Sequence, residues 1–275
     1  MINSTPQVVT IAGSDSGGGA GAQADLKTFQ ARQVFGTTIF VALTAQNTLG
    51  VQSVHSVPTS FITAQFESLA ADLDIRAAKT GMLADSQIVK TVVEAYKTSN
   101  FGPLVVDPVM IAKGGHPLLA EEAIETIKQE LLPIATVCTP NLPEAESLVG
   151  HAIETDEAMV DAAHYLQQLG CPNIIIKGGH GTGDTVRDYV LLEDGTSFWL
   201  LAPRIDSRAT HGTGDTFSAC IAAELAKGVA LREAIIIARR FIQGAIADRI
   251  HVGHGHGPTN HWASLSNDVM VEEII

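Results

Sequence analysis

The sequence predicts an α/β fold whose central sheet is mostly parallel and is covered by helices on both faces. Short apolar runs rich in β-branched residues, such as residues 8–13 and 104–109, alternate with segments of helical periodicity along most of the chain. Strands that are apolar throughout are typical of parallel sheets buried on both faces. We find no linker, repeat or low-complexity segment, so we expect residues 1–275 to form a single domain.

The predicted strands are apolar runs that end in glycine or in polar residues. The run at 8–13 leads into a glycine-rich turn, the alternating run at 51–57 is typical of an edge strand, and the Asp-Gly pair at 194–195 predicts a hairpin. In chain order, we predict strands at residues 8–13, 37–43, 51–57, 77–82, 104–109, 136–141 and 173–177, and a hairpin over 184–203.

The predicted helices have recognisable start and stop residues. Pro58 and Thr59 open one helix, and Gly228 can close another in a left-handed conformation. The helix that Gly228 closes follows a glycine turn and is rich in small apolar residues. In chain order, we predict helices at residues 22–33, 59–73, 85–98, 120–132, 156–169, 215–227 and 231–249, and a further helix start at 142–146.

Composition limits the function classes that the chain can serve. With 45% hydrophobic and 17% charged residues, the chain can bury a sizeable core. A net charge of −13 argues against nucleic acid or an anionic membrane as a partner. Cys138, Cys171 and Cys220 lack metal-ligand spacing and are typical of buried thiols in a reducing compartment. No segment resembles a signal peptide or a membrane span, so we expect a soluble cytoplasmic protein.

The candidate catalytic turn consists of Gly212, Thr213, Gly214 and Asp215. Its glycines allow a tight turn, and the unpaired N–H groups of the following helix face outward with the positive end of the helix dipole. This geometry suits a phosphate or a developing negative charge. Asp215 would stay ionised there and could accept a proton from a substrate hydroxyl, although Thr213 or Asp215 could instead simply cap the helix. We assign Thr210, just before the turn, to the nucleotide.

Further polar residues are predicted at the carboxyl ends of the strands, where ligands bind in sheets of this kind. Asn141 and Glu144 could orient water around Mg²⁺, although the pair is also typical of an ordinary helix start. Lys177 could meet a nucleotide phosphate or lie on the surface, and Asp107 could support the metal or the substrate or be purely structural. The residues expected at this edge are Asp25, Gln46, Asp107, Asn141, Glu144, Lys177 and Asp215.

Together these residues supply what phosphoryl transfer requires. The reaction needs a base for the acceptor hydroxyl, positive groups and amides around the transferred phosphoryl group, and a metal ion. Asp215, the amides of the glycine turn, Lys177 and the Asn141/Glu144 pair form such a set. Dinucleotide binding is poorly supported, because the turn at 17–22 fits the G-x-G-x-x-A pattern only loosely and no acid follows at the distance that would hold a ribose.

Short motifs along nearly the whole chain resemble the hydroxymethylpyrimidine/phosphomethylpyrimidine kinases of thiamine biosynthesis, within the ribokinase-like superfamily. The superfamily's mark is a G-[AT]-G-D turn near the C-terminus, which here is the turn that ends in Asp215. The matching segments are residues 10–16 (TIAGSDS) with 17–26, 45–48 (AQNT), 79–83 (KTGML), 107–110 (DPVM), 139–145 (TPNLPEA), 177–180 (KGGH), 211–214 (HGTG) and 252–258 (VGHGHGP).

The resemblance implies a three-layer α/β/α sandwich, ATP and Mg²⁺ as cofactors, and successive phosphorylation of 4-amino-5-hydroxymethyl-2-methylpyrimidine and its monophosphate. It places the Gln46 amide against the aminopyrimidine, whose edge requires both the donor and the acceptor that an amide offers. Asp25 matches a polar substrate contact, Asn141 and Glu144 match the metal-associated motif, and Lys177 matches a phosphate contact. The apolar pocket walls match Ala20, Met82 and Val109.

One position departs from the closest family pattern. Many members carry cysteine directly after the Gly-Thr-Gly turn, whereas this chain has Asp215, the base of the broader superfamily. Related pyridoxal kinases share most of these motifs, so pyridoxal kinase is the alternative function, and a non-catalytic vitamin- or nucleotide-binding protein is a more distant one. We expect ATP and a small-molecule substrate as partners, and apolar edge strands make a homodimer reasonable.

Overall fold

A single ten-stranded sheet runs through the residues that the computed structural model describes, which are 4–110, 121–181 and 183–274. The strands lie in the order β10-β9-β8-β7-β6-β5-β4-β1-β2-β3. The central strands β2, β1, β4, β5, β6 and β7 are parallel to their neighbours within this group. At one end β3 is antiparallel to β2, and at the other end β7, β8, β9 and β10 are antiparallel in succession. The strands are β1 (Gln7–Gly13), β2 (Phe35–Asn47), β3 (Gly50–Ser56), β4 (Ile75–Thr80), β5 (Leu104–Val106), β6 (Val137–Cys138), β7 (Ile174–Ile176), β8 (Thr185–Leu191), β9 (Ser197–Pro203) and β10 (Met270–Glu273).

Helices cover both faces of this sheet, which confirms the predicted three-layer α/β/α architecture. One face packs against α2 to α6, and the other packs against α1, α7 and α8. The helices are α1 (Gly21–Ala31), α2 (Thr59–Ala70), α3 (Ser86–Ser99), α4 (Glu121–Thr126), α5 (Leu142–Val149), α6 (Asp156–Gln168), α7 (Thr213–Ala226) and α8 (Leu231–Ala247). After α4 the chain continues through a π-helical turn, Ile127–Leu131, and a 3₁₀ turn, Leu132–Ile134. In the described residues, no helix combines the length and the apolar character needed to cross a membrane.

The two cores arise because successive residues of a strand point to opposite faces of the sheet. In β1, Val8 belongs to the core beneath α1, α7 and α8, whereas Val9 belongs to the core on the other face. Val105 and Val106 of β5 divide in the same way. Since both faces are buried, every residue of these central strands has to be apolar or specifically paired, which is the continuous pattern seen in the sequence.

The structure differs from the predicted elements mainly at their ends. The strand predicted at 104–109 ends at Val106, because Pro108 has no N–H to continue a ladder. Strand β10 was not predicted, since Met270–Glu273 is mostly exposed and forms only by pairing with the edge of β9. Helix α7 begins at Thr213, two residues earlier than predicted, and Gly228 has the left-handed φ of +83° expected after its end.

A buried ion pair fastens α8 to the sheet near the candidate site. Arg239 Nε lies 2.7 Å from Asp188 Oδ2, and both side chains are almost fully buried. The other oxygen of Asp188 accepts a hydrogen bond of 2.8 Å from the N–H of Gly178, directly after Lys177. The pair therefore helps to hold the turn that follows Lys177, the residue predicted to contact a nucleotide phosphate.

We expect Asp188→Asn to lower the free energy of unfolding by about 3–5 kcal/mol, because it leaves the buried Arg239 without its counter-charge. Asp74→Asn is the matched control, because it removes one charge from the exposed Arg76–Asp74 pair and should change stability by about 1 kcal/mol or less. Urea denaturation followed by circular dichroism measures both variants. Equal losses in the two would contradict a special contribution of the buried pair.

Candidate active site

The predicted catalytic turn packs tightly against the glycine-rich loop that precedes α1. Gly212 has a left-handed φ of +79°, and a Cβ at this position would collide with the carbonyl oxygen of Gly19. A Cβ on Gly214 would lie 3.1 Å from Asp107 Oδ2 and 3.3 Å from Lys177 Nζ. Gly212 therefore requires glycine, whereas a side chain at Gly214 would crowd the charged pair, so the turn is held between the loop on one side and this pair on the other.

Asp215, the third residue of α7, is bound to a buried lysine rather than acting as a helix cap. Gly212 occupies the N-cap position and α7 has no side-chain cap. Asp215 Oδ1 accepts a hydrogen bond of 2.8 Å from Lys79 Nζ. The same ammonium donates to both oxygens of Asp25 at 2.9 Å, and Thr10 donates its hydroxyl to Asp25 Oδ2 at 2.5 Å. The alternative that Asp215 merely caps the helix is therefore wrong.

The Lys79 cluster has two carboxylates for one ammonium, and their environments differ. Burial raises the pKa of Asp25 to about 7, because the attraction of Lys79 offsets only part of the desolvation. Burial also acts to raise the pKa of Asp215, but the charge and hydrogen bond of Lys79 hold it below the ordinary value. Burial alone would lower the pKa of Lys79, and the two carboxylates together raise it. At neutral pH, Asp215 is thus an ionised acceptor next to a fixed positive charge.

A second ion pair lies on the other side of the α7 N-terminus. Lys177 Nζ lies 2.9 Å from Asp107 Oδ1, which also accepts the Thr139 hydroxyl at 3.2 Å. The Ser218 hydroxyl lies 3.4 Å from the other oxygen of Asp107. Burial acts to lower the pKa of Lys177, but Asp107 and Glu144 raise it above its ordinary value, so this ammonium stays charged. Asp107 and Lys177, predicted separately from their strand ends, thus form a single unit.

Asn141 and Glu144 form a reciprocal cap at the start of α5. Asn141 Oδ1 accepts the N–H of Glu144 at 3.0 Å, and Glu144 Oε2 accepts the N–H of Asn141 at 2.8 Å. Burial raises the pKa of Glu144 to about 7, with Lys177 opposing the shift. This reciprocal cap confirms the ordinary helix-start interpretation. The cap uses only one carboxylate oxygen of Glu144, and the predicted contact with water around Mg²⁺ stays a prediction. The described residues contain no group of three or more His, Cys, Asp or Glu side chains that could hold a metal ion.

Gln46 belongs to a polar network around Asp15. Gln46 Nε2 lies 3.2 Å from His211 Nε2, which in turn lies 3.0 Å from Asp15 Oδ2. The Asp15 oxygens also accept backbone N–H groups of the loop that leads to α1, from Gly17, Gly19 and Ala20. The network therefore joins the end of β2, the glycine-rich loop and the residue before the catalytic turn.

The remaining predicted site residues lie around these three groups with less direct contact. Ala20 is the N-cap of α1 and is held by Asp15. Met82 follows β4 and packs over Gly13, whereas Val109 is half-buried two residues beyond Asp107. Thr210 is half-buried just before His211. Asp25 is fully buried, so in this conformation its carboxylate faces Lys79 and Thr10 and has no exposed surface for a substrate.

Three residues that contact the predicted site residues were not assigned a role from the sequence: Lys79, Asp15 and His211. Lys79 lies in the predicted strand directly after two alanines, and this position could have indicated that it is buried. A fully buried ammonium needs carboxylate partners, so the lysine itself predicts nearby acidic side chains. Asp15 and His211 belong to matching motifs, but they are 196 residues apart in sequence. Nothing in their local sequence indicates that they bond to each other.

The histidine- and glycine-rich segment near the C-terminus is an ordered loop that completes the turn region. The N–H of His256 donates to the carbonyl of Thr48 at 2.9 Å, and the N–H of His211 donates to the carbonyl of Gly257 at 3.0 Å. His261 is buried beneath α7, where its Nε2 lies 3.0 Å from the Thr216 hydroxyl and desolvation lowers its pKa to about 4. This histidine is therefore neutral and supports the helix start.

Comparison with known proteins agrees with the predicted resemblance. The family model described as phosphomethylpyrimidine kinase matches residues 15–260. The hydroxymethylpyrimidine/phosphomethylpyrimidine kinase of Haemophilus influenzae is 53% identical over 265 residues, covering 95% of this chain and 98% of the relative. The enzyme of the same name from Bacillus subtilis is 44% identical over 265 residues, covering 96% and 97%.

A solved structure extends the match to three dimensions. The pyridoxal kinase of Staphylococcus aureus in complex with AMP-PCP and pyridoxal has a TM-score of 0.89 and 35% identity, covering 99% of this chain and all of the other. The ribokinase-like architecture predicted from the motifs is thus confirmed. Since the family model covers most of the sequence and both curated relatives match over nearly their whole length, the chain belongs to the phosphomethylpyrimidine kinase family.

Proposed function

We propose that this protein transfers the γ-phosphoryl group of ATP to the hydroxymethyl group of 4-amino-5-hydroxymethyl-2-methylpyrimidine, and then phosphorylates the resulting monophosphate. Family membership makes the chain a kinase of thiamine biosynthesis. The observation that carries the mechanism is the position of Asp215, which lies at a helix N-terminus between the buried Lys79 and the Lys177–Asp107 pair. A non-catalytic binding protein would have no use for this arrangement of a base beside two cations.

In the first reaction, Asp215 accepts the proton of the substrate hydroxyl. The hydroxyl oxygen forms a bond to the γ-phosphorus as the bond from that phosphorus to the β-bridging oxygen breaks, and ADP leaves. The N–H groups at the start of α7 and the charge of Lys177 stabilise the negative charge on the transferred group. Lys79 holds the Asp215 carboxylate in place through Oδ1, and the backbone N–H of Gly21 also bonds to this carboxylate.

Mg²⁺ is proposed as the second cofactor, which Asn141 and Glu144 would contact through water. The donor set fits this arrangement, because Glu144 keeps one carboxylate oxygen outside its cap and the metal normally retains most of its water. Glu144 and Asn141 would orient that water, and Asp107 would position Lys177. When bound, the metal would neutralise negative charge on the nucleotide phosphates.

Substrate recognition is assigned to Gln46, with Ala20, Met82 and Val109 as apolar walls. The half-buried Gln46 amide at the end of β2 can read the edge of a heteroaromatic ring. Asp25 acts from beneath by sharing Lys79 with the base, rather than by touching the ring. Thr210 is proposed on the nucleotide side of the turn.

We also propose that the chain works as one domain in a cytoplasmic homodimer. The described strands form a single sheet with two continuous cores, and all three cysteines are buried free thiols, which suits a reducing compartment. The edge formed by β2 and β3 exposes several large apolar side chains, which suits a subunit contact. These side chains are Phe35, Leu43, Leu49, Val51 and Val54.

Pyridoxal kinase is the second candidate function, because the Staphylococcus aureus structure bound to pyridoxal shares the fold over the whole chain. We expect kcat/KM for the hydroxymethylpyrimidine to exceed that for pyridoxal when both are measured on one preparation by coupled ADP release. A higher value for pyridoxal would make the second candidate the function. Release of ADP without phosphorylation of either compound would contradict both.

We expect Asp215→Asn to lower kcat by on the order of 10²-fold or more, because asparagine cannot accept the substrate proton. The amide can still bond to Lys79, so circular dichroism and thermal unfolding should show an intact fold. Asp72→Asn, at an exposed position, is the charge-matched control and should leave kcat unchanged. A near-normal kcat for Asp215→Asn would exclude Asp215 as the base.

We expect kcat/KM to fall as the pH drops through about 7, towards a lower plateau. Asp25 binds a proton in this range, and Lys79 then serves Asp215 alone, which makes Asp215 a weaker base. Asp25→Asn mimics the protonated form, so its kcat/KM at pH 8 should equal the wild-type plateau and lack this pH dependence. If the variant keeps the same pH dependence, Glu144, whose pKa is also about 7, is the titrating group instead.

A further inference from the structure

Asp215 presents a permanent negative charge at the start of α7. Its Oδ1 accepts a hydrogen bond of 2.8 Å from Lys79 Nζ, and the backbone N–H of Gly21 also bonds to the carboxylate. Burial acts to raise the pKa of Asp215, but Lys79 and this N–H hold it below the ordinary value, so the group stays ionised at neutral pH. The side chain keeps 14% of its surface exposed, so a ligand can approach the charge.

The two ammonium groups described near Asp215 are already paired with carboxylates. Lys79 Nζ makes two bonds of 2.9 Å to Asp25 besides its bond to Asp215, and its side chain has no exposed surface. Lys177 Nζ lies 2.9 Å from Asp107 Oδ1. An ammonium group has three hydrogens to donate, so Lys79 has none left for a ligand.

The described charged groups around the start of α7 carry more negative than positive charge. Two ammonium groups and four carboxyl groups act on one another there, and they are Lys79, Lys177, Asp25, Asp107, Glu144 and Asp215. His211 also acts on Asp215, but its Nε2 lies 3.0 Å from the carboxylate of Asp15. An anionic acceptor placed beside Asp215 is therefore repelled.

The two proposed reactions use acceptors of different charge. The hydroxymethyl group of the first acceptor is neutral, and its oxygen becomes a strong nucleophile only as its proton is removed. The monophosphate that accepts in the second reaction loses its last proton with a pKa of about 6, as phosphate monoesters do, so it is a dianion at pH 8. Its attacking oxygen carries no proton, and a base has nothing to accept.

The second reaction balances without a proton acceptor. An oxygen of the acceptor phosphate forms a bond to the γ-phosphorus of ATP as the bond from that phosphorus to the β-bridging oxygen breaks, and ADP leaves with the electron pair of the broken bond. The N–H groups at the start of α7 stabilise the transferred phosphoryl group in both reactions, so the attacking oxygen has to lie near Asp215 each time.

We propose that Asp215 is a specificity-determining residue as well as the base, which favours the neutral alcohol acceptor and disfavours the anionic phosphate acceptor. This inference rests on the proposed function, in which both compounds react at the start of α7. It adds that one carboxylate has opposite effects on the two reactions. It accelerates the first by accepting a proton and slows the second by repelling the acceptor.

The test measures kcat/KM at pH 8 for the alcohol and for its monophosphate, each supplied separately with ATP, from initial rates of ADP release. Asp215→Asn removes the charge and keeps the shape of the side chain. We expect the value for the alcohol to fall by about 100-fold or more, because the base is lost. We expect the value for the monophosphate to rise by about tenfold, because a repulsive charge is removed.

Two further variants separate the effect of charge at this position from other effects. Asp215→Glu keeps the carboxylate, so its kcat/KM for the monophosphate should not rise above that of the wild type. Asp72→Asn removes one charge at an exposed position and should leave both values unchanged.

Similar losses for both acceptors in a folded Asp215→Asn variant would overturn the inference and leave the proposed function intact. A rise for the monophosphate in Asp215→Glu would also overturn it, because charge would not be the cause. A wild-type protein that phosphorylates neither compound would instead refute the proposed function.

A measurement on the wild-type protein avoids any folding defect of the variants. Two unreactive inhibitors of nearly equal shape are compared against the alcohol in the presence of ATP, namely (4-amino-2-methylpyrimidin-5-yl)acetate and the corresponding acetamide. We expect the neutral acetamide to inhibit at a concentration at least about tenfold lower than the anionic acetate. Equal or stronger inhibition by the acetate would overturn the inference.

Discussion

The structure depends on one buried ammonium. Lys79 lies in the centre of the sheet with no exposed surface, and its three hydrogen bonds reach carboxylates from α1 and α7. Because an unpaired charge at this depth would be highly unfavourable, the strand and the two helices have to approach until Asp25 and Asp215 surround it. The placement of Asp215, the proposed base, is thus a consequence of satisfying the lysine. The proposed chemistry benefits as well, since a carboxylate held by a fixed cation needs little reorganisation during proton transfer.

Close backbone approach is the second requirement, and it explains the glycines of the turn. The two loops that frame the α7 N-terminus touch through the main chain at Gly212 and Gly19, while Gly214 rests on the Asp107–Lys177 pair. A side chain at Gly212 would collide with the carbonyl oxygen of Gly19, and one at Gly214 would crowd the Asp107–Lys177 pair. The positive charges on the two sides of the helix start differ in exposure. Lys79 is fully enclosed and bonds to Asp215, whereas Lys177 keeps some exposed surface, as its proposed contact with a nucleotide phosphate requires.

The sequence predicted the layers of the fold and the edge of the sheet that carries the site, because both follow from local patterns. Continuous apolar runs identify the parallel strands, and residues just after a strand fall at its carboxyl end, which is how Asp107 and Lys177 were found. It did not predict that these two pair with each other, or that Asp15 bonds to His211, since such contacts depend on three-dimensional packing across long separations. Asn141 and Glu144 illustrate a different limit. Their helix-cap role is local and visible, but a contact with hydrated metal leaves no distinct pattern in the sequence.

The loop near the C-terminus has a consequence for the synthesis of the protein. Gly257 accepts the N–H of His211, His256 bonds to Thr48, and His261 lies beneath α7, so the last tenth of the described chain completes a site whose other parts come from the first fifth onward. During translation these residues leave the ribosome after every strand of the parallel region. A nascent chain therefore contains the sequence of this turn before it contains the residues that hold its geometry, and the turn gains these hydrogen bonds only after residues 256–261 have been synthesised.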